Sequence, residues 1–168
     1  MGSDFISVRI ALLTVSDTRL EKDDESGNLL ADLIKRDGHE VVDRSVVLDD
    51  QNLIQNSVRK WIADQTVQVI ISTGGTGLTA RDVTPEAFEE LYDKKIEGFG
   101  ELFRMISYNH VGTSTMQSRA TAGIANKTYL FALPGSPNAC RDGWDYILKY
   151  QLDSRHKPCN LIQLLPRL

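Results

Sequence analysis

Val67-Gln68-Val69-Ile70-Ile71-Ser72-Thr73-Gly74-Gly75-Thr76-Gly77 sets an apolar run directly against a glycine-rich turn. Val67 to Ser72 is short, uncharged and rich in β-branched residues, which predicts a strand buried on both faces. The glycines that follow supply positive φ and close backbone approach, so a tight loop leaves the strand end. Pro85, with Thr84 as its expected cap, suits the start of a helix. Buried strand, polar loop and helix make up the repeating unit of an α/β protein.

The same unit recurs on both sides of this stretch. Arg9 to Val15 is a further short apolar run that predicts a buried strand, and Val41 to Leu48 and Thr128 to Leu133 read as strands as well. Leu29, Leu30, Leu33 and Ile34 follow helical spacing, and Gly38 stands where a helix end favours a left-handed residue. Ile54, Val58, Trp61 and Ile62 recur at i, i+4, i+7 and i+8, one helical face. Phe99, Leu102, Phe103 and Ile106 make another such stripe, as do Cys140, Trp144, Ile147 and Leu148. The expected fold class is α/β in three layers, a mostly parallel sheet flanked by helices on both faces, forming one domain over 1–168. Right-handed crossovers put every strand-to-helix loop on one edge of the sheet, where ligands bind. Ser16 to Arg19, Leu48 to Asp50, Thr73 to Asp82 and Pro134 to Pro137 all follow predicted strands. Gly, Pro and Asp also serve turn geometry alone, but four such loops on one rim favour a site.

Composition narrows the function classes. A chain of 168 residues, 41% hydrophobic, supports a core without disulfide staples. Its two cysteines, Cys140 and Cys159, are too few for a disulfide framework and fit reduced surroundings. Nineteen basic and twenty-three acidic residues, without a basic run, exclude a general nucleic-acid surface. No apolar stretch approaches the roughly 20 residues of a membrane span. Met1 to Asp4 lacks the features of a signal peptide, so a cytoplasmic location is expected. His39, His110 and His156 show no metal spacing.

An anionic small ligand remains compatible with an acidic chain, because oriented N–H groups bind phosphate. The glycine loop is not a P-loop, since no Gly-Lys-Ser/Thr follows. Gly75, Gly77 and Ala80 fit a loose dinucleotide pattern. That pattern belongs on a first strand and opens directly into a helix, whereas Arg81 to Thr84 intervene here, so a nicotinamide site is rejected. Gly135 and Ser136 open onto the last helix, whose unpaired N–H groups favour an anion.

Taken whole, Thr73-Gly74-Gly75-Thr76-Gly77 with Arg81-Asp82-Val83-Thr84-Pro85-Glu86 resembles the signature of the MoaB/MogA family of molybdenum-cofactor assembly proteins. That family includes plant and animal relatives within larger proteins and a related domain of MoeA. Thr14-Val15-Ser16-Asp17 resembles its opening motif. Leu48-Asp49-Asp50 stands where many members have Pro-Asp-Glu, so Leu and the second Asp are departures. Gly98-Phe99-Gly100-Glu101, Ser118-Arg119 and Leu133-Pro134-Gly135-Ser136-Pro137 also match. The short C-terminal end at Leu168 is closest to the MoaB type.

The resemblance implies a chemistry and a set of residues. Active members transfer AMP from Mg-ATP, the co-substrate, to the terminal phosphate of molybdopterin and release pyrophosphate. The adenylated pterin passes to a MoeA-type partner, and members assemble as homotrimers or hexamers. On that resemblance Asp49, Asp82 and Ser118 are catalytic, with Asp82 holding Mg²⁺ and Asp49 assisting. Ser16, Asp17, Gly74, Gly75, Thr76, Gly77, Arg81, Arg119, Pro134, Gly135 and Ser136 bind pterin or nucleotide. Some MoaB proteins have lost the acids equivalent to Asp49 or Asp82; this chain keeps both. A phosphate monoester is largely dianionic near neutral pH, so catalysis rests on neutralising and aligning two polyanions. Mg²⁺ suits one or two carboxylates plus phosphate oxygens. The ordinary uses of these residues are turns and caps for Asp and Ser, and solvated surface for Arg. The alternative function is a catalytically silent molybdopterin-binding or scaffold protein.

Overall fold

The computed structural model describes residues 4–18 and 23–168. Met1 to Ser3, and Arg19 at the end of the first rim loop, lie outside the described residues. The chain runs β1 (Arg9–Val15), α1 (Glu25–Arg36), β2 (Glu40–Val47), α2 (Gln51–Ala63), β3 (Val69–Thr73) and α3 (Thr84–Glu89). It continues through β4 (Lys94–Lys95), α4 (Glu97–Val111), β5 (Thr121–Ala125), β6 (Thr128–Leu133), α5 (Pro137–Gly143) and α6 (Lys149–Gln151). The six strands form one sheet in the order β2-β1-β3-β6-β5-β4. The first four run parallel, while β5 and β4 close the far edge antiparallel.

Alternation along the strands sorts the core into two layers. Ile10 and Leu12 of β1 face one side with Ile71, Phe131 and Leu133, where Leu30 and Ile34 of α1, Phe99 and Phe103 of α4, and Trp144 cover them. Ala11, Leu13 and Val15 face the other side with Ile70 and Leu130, under Ile54, Val58 and Trp61 of α2 and Phe88 of α3. The three-layer architecture expected from sequence is therefore present. Gly38 ends α1 at φ +91°, a conformation open to glycine at little cost.

Four local expectations are corrected. Thr84 is not the cap of α3: it lies inside the helix after Val83, and its hydroxyl donates to the Gly74 carbonyl at 2.9 Å. The stretch from Tyr108 to Ala125, which reads in the sequence as a long irregular surface segment, instead contains the end of α4, a 3-10 turn at Gly112–Gln117 and strand β5. The last helix is interrupted by a π turn at Trp144–Leu148. The strand expected at Val67 to Ser72 is displaced, because Val69–Thr73 carry the parallel ladder. Among the described residues no helix is long and apolar enough to cross a membrane.

Candidate functional site

From β1 the chain moves outward to β2, then crosses back to place β3 on the other side of β1. Such a reversal opens a crevice at the strand ends. There the loops after β1, β2, β3 and β6 converge around a cleft of about 610 Å³. Ser16, Asp17, Asp49, Gly74, Gly75, Thr76, Gly77, Asp82, Ser118, Pro134, Gly135 and Ser136 all line it. Thr18 and Gln117 also face the cleft. Sequence reasoning places Thr18 in the Ser16 to Arg19 rim loop without singling it out as a site residue, and Gln117 belongs to no motif that marks it.

The glycine loop is wedged between neighbouring strands. Gly74 donates its N–H to the Leu133 carbonyl at 3.0 Å. Gly74 and Gly75 both have positive φ, +101° and +65°. A Cβ on Gly74 would run into the Val15 carbonyl, and one on Gly75 into Asp49 Oδ1 and Thr84 Oγ1. Gly135 approaches the same loop from β6, where its Cβ would stand 3.2 Å from Gly74 Cα. Glycine is required here for both conformation and space.

The acids of the cleft differ in what they touch. Asp82 closes its own turn, accepting the Thr79 N–H at 2.9 Å and the Thr79 hydroxyl at 2.5 Å. Burial works to raise its pKa, but the Thr79 and Gly77 bonds and nearby Arg119 hold the carboxyl below its usual value. Asp49 has no comparable support. Its Oδ1 is buried and has no hydrogen-bond partner among the described residues. Burial, followed by the charges of Asp17 and Asp82, pushes its pKa up to about 6. A buried carboxylate oxygen left unpaired is costly, and it marks where a cation or donor belongs.

The two arginines are turned to other uses. Arg81 forms a bidentate pair with Asp17 at 2.9 and 2.7 Å. Arg119 donates to the carbonyls of Gly77 and Asp82, at 2.8 and 2.7 Å, and to the Glu86 carboxylate. Neither lines the cleft. Ser118 half-faces it at the junction with two adjoining hollows. The Ser136 hydroxyl accepts the Ala139 N–H at 3.2 Å as the cap of α5. The histidines are engaged elsewhere: His39 Nδ1 accepts the Val8 N–H, and His110 pairs with Asp142. Among the described residues no three His, Cys, Asp or Glu side chains gather as a metal site.

Residues 11–154 match the family described as a probable molybdopterin binding domain. The chain belongs to this family. It is 52% identical over 160 residues to molybdenum cofactor biosynthesis protein B of Escherichia coli, covering 95% of this chain and 94% of that protein. A crystal structure of a molybdenum cofactor biosynthesis protein B superposes with a TM-score of 0.85 at 44% identity, covering 88% and 92% of the two chains. The tungsten cofactor synthesizing protein MoaB from Pyrococcus furiosus gives a TM-score of 0.76 at 36% identity, with 84% and 91% covered. The fold, the glycine loop and its flanking acids thus sit in a family whose named members include molybdenum and tungsten cofactor biosynthesis proteins.

Proposed function

We propose that this chain acts in molybdenum cofactor biosynthesis by binding molybdopterin in the β1/β3 cleft and adenylating its terminal phosphate with Mg-ATP. A terminal phosphate oxygen attacks the α-phosphorus of ATP, the bond from that phosphorus to the α,β-bridging oxygen breaks, and pyrophosphate leaves with that oxygen. The observation that carries this reading is the unpaired, buried Asp49 Oδ1 on a cleft whose other walls are glycine loops.

Three carboxylates, Asp17, Asp49 and Asp82, line the cleft without gathering as one metal site, and the nearby guanidiniums are committed, Arg81 to Asp17 and Arg119 to Glu86 and the Gly77 and Asp82 carbonyls. Two polyanions cannot meet there on the protein's charges alone. Mg²⁺ arriving on nucleotide phosphates needs only one or two protein carboxylates, which fits the lack of a three-residue cluster among the described residues. When bound, Mg²⁺ supplies the positive charge that offsets the developing phosphate charge. Asp49 would hold it and Asp82 would assist. That order reverses the one expected from sequence, because Thr79 already occupies Asp82 Oδ2. The loop main chain between Gly74 and Gly77 lets phosphate approach without a side chain in the way. Ser118 would steady a phosphate oxygen from the opposite wall.

The deciding experiment incubates pure protein with molybdopterin and Mg-ATP and follows adenylated pterin and pyrophosphate in equal amounts. Binding of molybdopterin without either product would leave the scaffold reading in its place.

A further inference from the structure

We infer that Asp17 and Arg81 are a positioning pair that holds the Asp49 loop, not contacts to the ligand. This rests on the reading of Asp49 as the acid that serves the nucleotide. Asp17 is where three of the four rim loops meet. Its Oδ1 accepts the backbone N–H of Asp49 at 3.1 Å and Arg81 Nη2 at 2.7 Å, while its Oδ2 accepts Arg81 Nε at 2.9 Å. The loop after β1 therefore grips the loop after β2 by its main chain and the loop after β3 by a guanidinium fork. A bidentate fork fixes direction as well as distance.

Both side chains are substantially exposed, 34% for Asp17 and 63% for Arg81. An exposed ion pair adds little to stability, so alignment is what this pair supplies. Asp49 needs alignment. On one side its Oδ1 is packed against Gly75, where even a Cβ would collide with it. On the other, Asp50 is fixed as the cap of α2 by accepting the Leu53 N–H at 3.0 Å. Asp17 supplies the remaining restraint, at the Asp49 N–H itself. Arg81 does not line the cleft; Asp17 does, but as an anion whose oxygens are taken up by Arg81 and the Asp49 N–H it offers a phosphate nothing, so neither side chain is directed at one.

The test is a double-mutant cycle of Asp17→Ala and Arg81→Gln on the full chain. It is read by calorimetric binding of Mg-ATP and by amide hydrogen exchange at Asp49. A positioning pair gives about tenfold weaker Mg-ATP binding in each single variant and no further loss in the double variant, the signature of coupled neighbours. Asp17→Asn keeps an oxygen for the Asp49 N–H, so it recovers part of the affinity. Exchange at Asp49 speeds up in Asp17→Ala and returns toward wild type in Asp17→Asn. Additive losses with unchanged Asp49 exchange would overturn the inference and make both residues ligand contacts. If the wild-type protein binds no Mg-ATP, the adenylation reading fails on its own. The exchange data then still decide, since unchanged exchange in Asp17→Ala removes the positioning pair and accelerated exchange restored by Asn retains it.

Discussion

Replacing Asp49 by Asn keeps the size of the side chain and removes the charge, so it separates two effects that ordinarily move together. In the ligand-free protein the Asp49 carboxyl titrates near 6 instead of 3.8. Between those values the folded protein holds a proton that the unfolded chain has released, so this group's contribution to stability falls as pH rises through the window. Asp49→Asn escapes that loss. It is expected to melt higher than wild type above pH 6, with the gap closing as pH falls through the window, in paired thermal melts. Transfer of AMP should meanwhile fall by roughly 10² or more, the scale for removing one electrostatic contributor, and Mg-ATP should no longer raise the melting temperature. A variant lower in both stability and transfer would refute the assignment. Gly75→Ala tests the neighbouring wall: its strained φ costs about 1–3 kcal/mol, and its Cβ collides with Asp49 Oδ1. It should lose ligand affinity in calorimetry while remaining folded. Asp49 and Asp82 are both visible in the sequence through their motifs. Which of them keeps an unpaired oxygen is not, because that depends on Thr79 closing the Asp82 turn and on Gly75 folding back over Asp49. Arg81 and Arg119 show the same limit: sequence displays their charge but not the Asp17 carboxylate or the Gly77 carbonyl that claims it.

Whole elements were legible where periodicity is strong and obscure where it is short. Strands β1, β3 and β6 announce themselves as apolar runs because both faces are covered, whereas β2, at the sheet edge and only partly buried, is interrupted by Asp43, Arg44 and Ser45. Strand β5, Thr121–Ala125, is built of small residues, and Gly123 is required because the Tyr92 ring lies where its side chain would be. Strand β4 has two residues and no pattern to read. The segment ahead of β1 is likewise invisible in sequence, yet it is pinned by identifiable groups. Val8 donates its N–H to His39 Nδ1 at 3.2 Å, Ile6 donates to Ser154 Oγ at 2.9 Å, and the Phe5 ring lies 5.2 Å from the imidazole. Burial lowers the His39 pKa below 6.5, against the opposing charges of Asp153 and Asp37. As pH falls below 6.5, the unfolded chain takes up this proton before the folded one. Stability present above that value is therefore lost on acidification. Protonation also turns Nδ1 into a donor facing the Val8 donor. Protection of the Val8 and Ile6 amides should hold through neutral pH and drop as pH falls below 6.5, the side to which burial moves the charge change of His39. His39→Asn, which keeps an acceptor and cannot titrate, should flatten that dependence. Equal pH dependence in both proteins would mean that another group governs the segment.

At the scale of the molecule, α4 is the element one copy of the chain does not finish burying. Phe99 and Phe103 are buried and Ile106 is packed against the core. Leu102, Met105, Tyr108 and Val111 continue the apolar surface around the outer side of the helix and are exposed, as is Met116 in the turn that follows. A helix apolar most of the way round is one covered from both sides, and a contiguous exposed patch of this kind marks an interaction surface. A further copy of the chain is the covering expected here, and the family resemblance supplies the number three. The protein should therefore scatter light as a trimer, or as a multiple of three, at micromolar concentration. Met105→Glu puts a charge at 65% exposed surface in the single chain, so the isolated fold should tolerate it. The same charge within a packed interface would be desolvated without a partner, which costs several kcal/mol. The expected outcome is a shift to monomer with the wild-type far-ultraviolet dichroism retained. Ser107→Ala, a milder change one helical position from Ile106, should leave the assembly intact and controls for general damage to α4. A wild-type protein that is already monomeric, or a Met105→Glu variant that remains trimeric, would show that this face of α4 is not what joins the copies.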